Sequence, residues 1–129
     1  MADMSKLQAN KEIALDFLKL VIVGQIDEAY KKYVDLTGQH HNVYYPAQFN
    51  ALRQGMIENH GQFPDKQFMV KHVLAEGNIV VVHSNIVLKP GEPGIAVVHI
   101  FRIEAGRIVE MWDIGQPVPA DSPNKAGAF

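Results

Sequence analysis

Between residues 5 and 23, apolar side chains recur mostly at steps of three and four, at Leu7, Ile13, Ala14, Phe17, Leu18, Val21 and Ile22. That spacing predicts an amphipathic helix with one buried face. Ser5 suits its N-cap and Gly24 its stop. A shorter run, "QIDEAYKKYV", sets Ile26, Ala29, Tyr30, Tyr33 and Val34 at helical spacing and predicts a second helix ending before Thr37-Gly38. "AQFNALRQGMIENH" places Phe49, Leu52 and Met56 on one stripe with Ile57 beside it, and predicts a third helix closing at His60-Gly61. The stretch between these last two, "LTGQHHNVYYP", reads as a loop.

The second half changes period. From residue 66 to 119 the chain is rich in Val, Ile and Phe and is cut by "EGN", "KPGEPG" and "EAGR". Apolar runs between such turn signals predict a four-stranded antiparallel meander. Helices first and a connected sheet afterwards make an α+β domain, the helices packed on one face of the sheet. A chain of 129 residues is one domain by size. Residues 1–4 and about 118–129 are expected to be terminal segments, since the tail "PADSPNKAGAF" has no periodicity.

Neither strand face is plainly polar. In "NIVVVHSNIVL", Ile79, Val81, His83, Asn85 and Val87 share one face, and Val80, Val82, Ser84, Ile86 and Leu88 the other. In the next two runs, Val97, His99 and Phe101 oppose Val98, Ile100 and, at the polar end, Arg102, and Val109, Met111 and Asp113 oppose Ile108, Trp112 and the charged Glu110. A sheet apolar on both sides needs two covers. Its own helices supply one, and a homodimer through the sheet is the simplest source of the other.

Charge narrows the partners. Twelve Lys and Arg stand against fourteen Asp and Glu, interspersed, so no basic stripe is available for nucleic acid or an anionic membrane. The absence of cysteine removes disulfides, thiolate metal sites and cysteine nucleophiles, and is compatible with a cytoplasmic location. Charges at Lys11, Glu12, Asp16 and Lys19 interrupt the first apolar stretch, which therefore resembles neither a signal peptide nor a membrane span.

The candidate chemistry lies in titratable residues set among apolar strand neighbours: His83 beside Val81, His99 between Val97 and Phe101, and Asp113 beside Met111. If the strands are adjacent, the three share one cavity. Taken singly, each histidine reads first as a partly buried residue with one structural hydrogen bond, whereas Asp113 reads equally as an ion pair or a strand-end cap. Together, a carboxylate and histidines in an apolar pocket are equipment for removing a proton next to a carbonyl and stabilising the enolate. That chemistry needs no metal and no other cofactor. The six histidines form no His-x-x-x-His pair on a predicted helix, and the serines lack a nucleophile-elbow context. Tyr33, Tyr45, Phe101, Met111 and Trp112 are the candidate aromatic and apolar lining for a small apolar carbonyl-containing ligand. Of the adjacent histidines, His41 is expected to face the pocket, and His40 to be solvated or to support the loop.

"VVHIFRIEAGRIVEMWDIGQPVP" resembles the terminal hairpin of the SnoaL-like proteins of the nuclear-transport-factor-2-like superfamily: Phe-Arg, a Gly turn, Ile-Val-Glu, Trp-Asp and Gln-Pro. "GQHHNVYYP", "FPDKQFMVKHVLAEGNIVVVHSNI" and "DSPNKAGAF" are similar to a bacterial subgroup described as predicted aldol-condensation-catalysing or polyketide-cyclase-like. The resemblance implies a cone-shaped α+β fold in which helices fill the concave face of a curved, mainly antiparallel sheet of four to six strands, with dimerisation through that sheet. It also implies a cofactor-free aldol-type cyclisation or isomerisation with Asp113 as acid and base. His99 is the nearest match for the partner histidine, and His83 and His41 are further pocket residues. A non-catalytic small-molecule binding module on the same fold is the alternative.

Overall fold

Four strands follow one another through short turns in the second half of the computed structural model, which describes residues 4–129. They are β2 (Gln67–Glu76), β3 (Ile79–Val87), β4 (Ile95–Glu104) and β5 (Arg107–Pro117), preceded by α1 (Met4–Ile22), α2 (Ile26–Tyr33), β1 (Val34–His40) and α3 (Phe49–Gln62). The sheet order is β1-β5-β4-β3-β2, with every pair antiparallel except β1 with β5. The result is an α+β fold of three helices on a curved, open, mixed five-stranded sheet.

The expected meander is present, but the chain after α2 is a strand and not the start of a loop. β1 runs parallel to β5, pairing Val34 with Ile108 and His40 with Met111. Its disguise is Gly38, which by composition reads as a stop signal. A Cβ at Gly38 would lie 2.1 Å from the Val109 carbonyl oxygen, so glycine is what lets this strand close on β5. The register also slips between Val34 and Gln39, a bulge that hides the two-residue alternation by which strands are recognised.

The stripe predicted along the first helix is the one that is buried: Ala14, Phe17, Leu18 and Val21 face the sheet. Phe17 is fully enclosed, edge-on to Tyr30 at 5.5 Å and to Phe101 at 5.9 Å, and Tyr30 meets Phe49 at 6.3 Å. Burying one such ring contributes roughly 1.5–3 kcal/mol. This aromatic group fills one end of the concave face, where Val80, Phe101, Ile103 and Met111 form the floor. Toward the other end no large ring from α1 reaches the sheet, and a hollow remains.

Directly opposed residues share a sheet face, so one concave row runs Val73, Val82, His99, Asp113, and the convex row beside it runs Leu74, Val81, Ile100, Trp112. The convex face carries no helix. Leu74 is 58% and Ile114 61% exposed there. The tail after β5 is irregular, and Phe129 comes back to lie beside His83 and the Lys71 ammonium.

Candidate functional site

The hollow is a cavity of about 560 Å³. Leu18, Val21 and Ile22 of α1 roof it, Met56 and Asn59 of α3 close one side, and residues 42–45 form its mouth. Its floor is the end of the sheet, from Phe68 and Ile86 to Ile95, Val97, His99 and Asp113. The wall is mostly apolar, so the polar groups in it are few and individually placed.

Asp113 and His99 are opposed across β4 and β5. No hydrogen bond joins them; Asp113 instead accepts one from Asn42, Nδ2 to Oδ2 at 2.8 Å. The Asn42 amide is oriented in turn, because its Oδ1 accepts the Tyr44 backbone N–H at 3.0 Å. His40 supports this arrangement from below. It is buried, its Nδ1 accepts the Asn42 backbone N–H at 3.0 Å, and its Nε2 lies 2.5 Å from the Pro46 carbonyl oxygen. A nitrogen that accepts and another that faces a carbonyl place the ring proton on Nε2. His40 therefore staples both ends of the mouth loop.

His99 is enclosed, and neither ring nitrogen has a hydrogen-bond partner among the described residues. Its Nδ1 is fully sealed. Burial pushes its pKa down to about 4, although the neighbouring Asp113 charge pulls the other way. At neutral pH the His99 imidazole is consequently neutral. Burial, reinforced by the same Asp113 charge, keeps the nearby Tyr30 phenol protonated, with its hydroxyl on the Met56 sulfur at 3.2 Å.

The other expected site residues divide. Tyr45 lines the mouth with Val43 and Tyr44, and its ring lies against Gly55, where a Cβ would approach it to 2.5 Å. His83 does not converge with His99. Being one residue out of phase with Val82, it faces the convex side, where its Nδ1 meets Nδ1 of His72 at 2.9 Å. His41 is likewise turned outward, against expectation, because His40 occupies the inward position of the pair. It stacks on Trp112 at 4.9 Å and bonds Glu110 at 2.6 Å, so Trp112 also lies outside the cavity. The His41 bond, then Arg102 and Gln39, hold the Glu110 carboxyl below its ordinary pKa. Tyr33 sits at the junction of α1 and α2, its hydroxyl donating to Asp16, and Phe101 and Met111 belong to the packed core.

Sequence reasoning missed Asn42, Asn59 and Lys66, all of which line the cavity. Only Asn42 had a signal, as the polar residue between the paired histidines and the paired tyrosines. Among the described residues there is no group of three or more His, Cys, Asp or Glu placed to hold a metal ion, and no helix long and apolar enough to cross a membrane.

Comparison with known proteins agrees with this architecture. The SnoaL-like domain family matches residues 24–111. No curated protein matches the chain significantly. Among solved structures, an NTF-2 like protein of unknown function from Burkholderia xenovorans superposes with a TM-score of 0.72 at 17% identity, covering 91% of this chain and 89% of that one. A protein from Acidithiobacillus ferrooxidans, provisionally assigned as a polyketide cyclase, gives 0.68 at 21% identity over 90% and 92% of the two chains. One from Streptomyces galilaeus, provisionally assigned as a hydroxylase, gives 0.71 at 18% identity over 85% and 90%. At these identities the likeness is one of fold.

Proposed function

Because the chain belongs to the SnoaL-like domain family, we propose that its cavity performs acid/base chemistry, aldol-type cyclisation or isomerisation, on a small apolar carbonyl compound, with Asp113 as the base. The observation that carries this reading is the Asn42–Asp113–His99 arrangement at the wall of an otherwise apolar cavity. Asn42 engages Oδ2 and leaves Oδ1 free to take a proton from the carbon next to the carbonyl. A neutral imidazole donates to the developing enolate oxygen without first having to lose a charge, and Nε2 is the His99 nitrogen that is not sealed. Protonated Asp113 then returns its proton to carbon or to the new alkoxide.

The experiment is exchange of the α-protons of 2-tetralone in D₂O, followed by NMR. The protein is expected to accelerate exchange, and Asp113→Asn to lower that acceleration by about 10²-fold or more. Exchange at the buffer rate, or an unchanged rate in the variant, overturns the reading. The alternative of a binding module that returns its ligand unchanged draws support from the missing hydrogen bond between His99 and Asp113, and predicts saturable binding of the ketone with no exchange.

The same reading extends to assembly and location. The convex row Leu74, Val81, Ile100, Trp112 is apolar across four strands and is left bare by the helices, which supports a homodimer formed through the sheet. A cysteine-free chain of this kind fits the reducing cytoplasm.

A further inference from the structure

At the end of the cavity away from Asp113, where the chain leaves α3 and enters β2, Lys66 Nζ donates to Asn59 Oδ1 at 2.5 Å. Both side chains line the cavity. The Lys66 ammonium is partly buried and no carboxylate lies within ion-pair distance of it among the described residues. Loss of water lowers its pKa, and the Asn59 carbonyl oxygen, a neutral acceptor, supplies no opposite charge against it. The Asn59 Nδ2 donor is also unspent. Two donors, one of them charged, thus face a cavity whose remaining wall is apolar apart from the Asp113 end. A cation held there at a cost in solvation is stabilised when an anion arrives.

Placement strengthens the point. β2 and β5 are the two ends of the β5-β4-β3-β2 series, roughly 14 Å apart along the sheet at about 4.8 Å per strand. An anionic group at Lys66 is therefore kept away from the Asp113 carboxylate, which would repel it. We propose that Lys66 and Asn59 form an anion-binding subsite, so that the cavity selects an amphiphilic organic acid whose carboxylate docks there while its apolar body extends toward His99 and Asp113. This rests on the reading of the cavity as a carbonyl-compound site and adds the substrate class: a keto acid or a similar carboxylated carbonyl compound. Lys66 is then a specificity-determining residue and takes no part in the proton transfer.

The test uses an isosteric pair, 2-naphthaleneacetate and the neutral 2-naphthaleneacetamide, titrated by calorimetry at neutral pH and about 0.1 M salt. The acetate is expected to bind wild-type protein about fivefold more tightly than the amide, equivalent to about 1 kcal/mol. Lys66→Arg should retain that preference. Lys66→Met should abolish it while leaving amide affinity within about twofold. A lysine that merely caps the end of α3 would alter the melting temperature of Lys66→Met but not the ratio of the two affinities. Equal binding by wild type, or an unchanged preference in Lys66→Met, overturns the subsite and leaves the cavity reading standing. Binding of neither probe at millimolar concentration overturns both.

Discussion

Asn42 and Asp113 are 71 residues apart in sequence and 2.8 Å apart in space, the amide donating to one carboxylate oxygen and leaving the other free. The consequence is directional. Asp113 is oriented by a donor on the mouth loop, so the placement of the candidate base depends on that loop. Asn42→Ala is expected to lower 2-tetralone exchange about tenfold while Asp113 remains present. Asn42→Asp, which sets a second carboxylate against the first, should lower it further near neutral pH. Measuring both variants at pH 7 checks this; equal rates for wild type and Asn42→Ala would remove the positioning role.

The enclosed His99 makes stability depend on acid. Its pKa lies near 4 in the folded protein and near 6.5 in the unfolded chain. Between those values the unfolded state binds the extra proton, so stability rises with pH through the window and is fully present above it. It is lost as pH falls from about 6.5 toward 4, by up to about 3 kcal/mol. Urea denaturation at pH 7 and pH 4.5 measures the difference. His99→Phe should flatten most of it.

How far these features could be read from the chain depends on which physical signal carried them. The first helix and the meander were legible because burial follows a period, at Phe17 and Leu18 in one case and Val80 and Val82 in the other. β1 was not, since Gly38 serves a close approach to a carbonyl oxygen 71 positions away, which local pattern does not record. The candidate site was legible in half. His99 and Asp113 share a face because they share a hairpin, and strand parity places them. His83 was misplaced by the same rule: opposing strands bring Val82, and not His83, against His99. His40 and His41 show the limit most plainly, since alternation guarantees that they diverge but not which one turns inward.

Gly38 gives a test of that strand. Gly38→Ala pushes a methyl into the Val109 carbonyl oxygen and is expected to destabilise the fold by about 2–4 kcal/mol. Part of the damage should be local. Hydrogen exchange at the His41 amide, which bonds the Met111 carbonyl oxygen, should accelerate more than at amides within β3. Uniform acceleration would mean that the β1–β5 seam is no weaker than the rest of the sheet.

The bare convex face predicts assembly. Ile114 is 61% exposed on a face shared with Val98, in the row beside Trp112. If a second copy covers this face, Ile114→Asp should halve the mass seen by sedimentation velocity at micromolar concentration, with far-UV circular dichroism unchanged. An unaltered sedimentation coefficient would show that the face is not the interface.

The parallel seam between β1 and β5 also sets an order of events during folding. β2 to β5 are joined by short turns, so their pairings form between near neighbours in the chain, and the opposition of His99 and Asp113 arises within one hairpin. The β1–β5 pairing must close a loop of some seventy residues, and contacts of that separation form late. Asn42 reaches Asp113 only after that closure. The carboxylate and the imidazole are thus expected to face each other on a partly folded chain, before the hydrogen bond that orients Asp113 has formed.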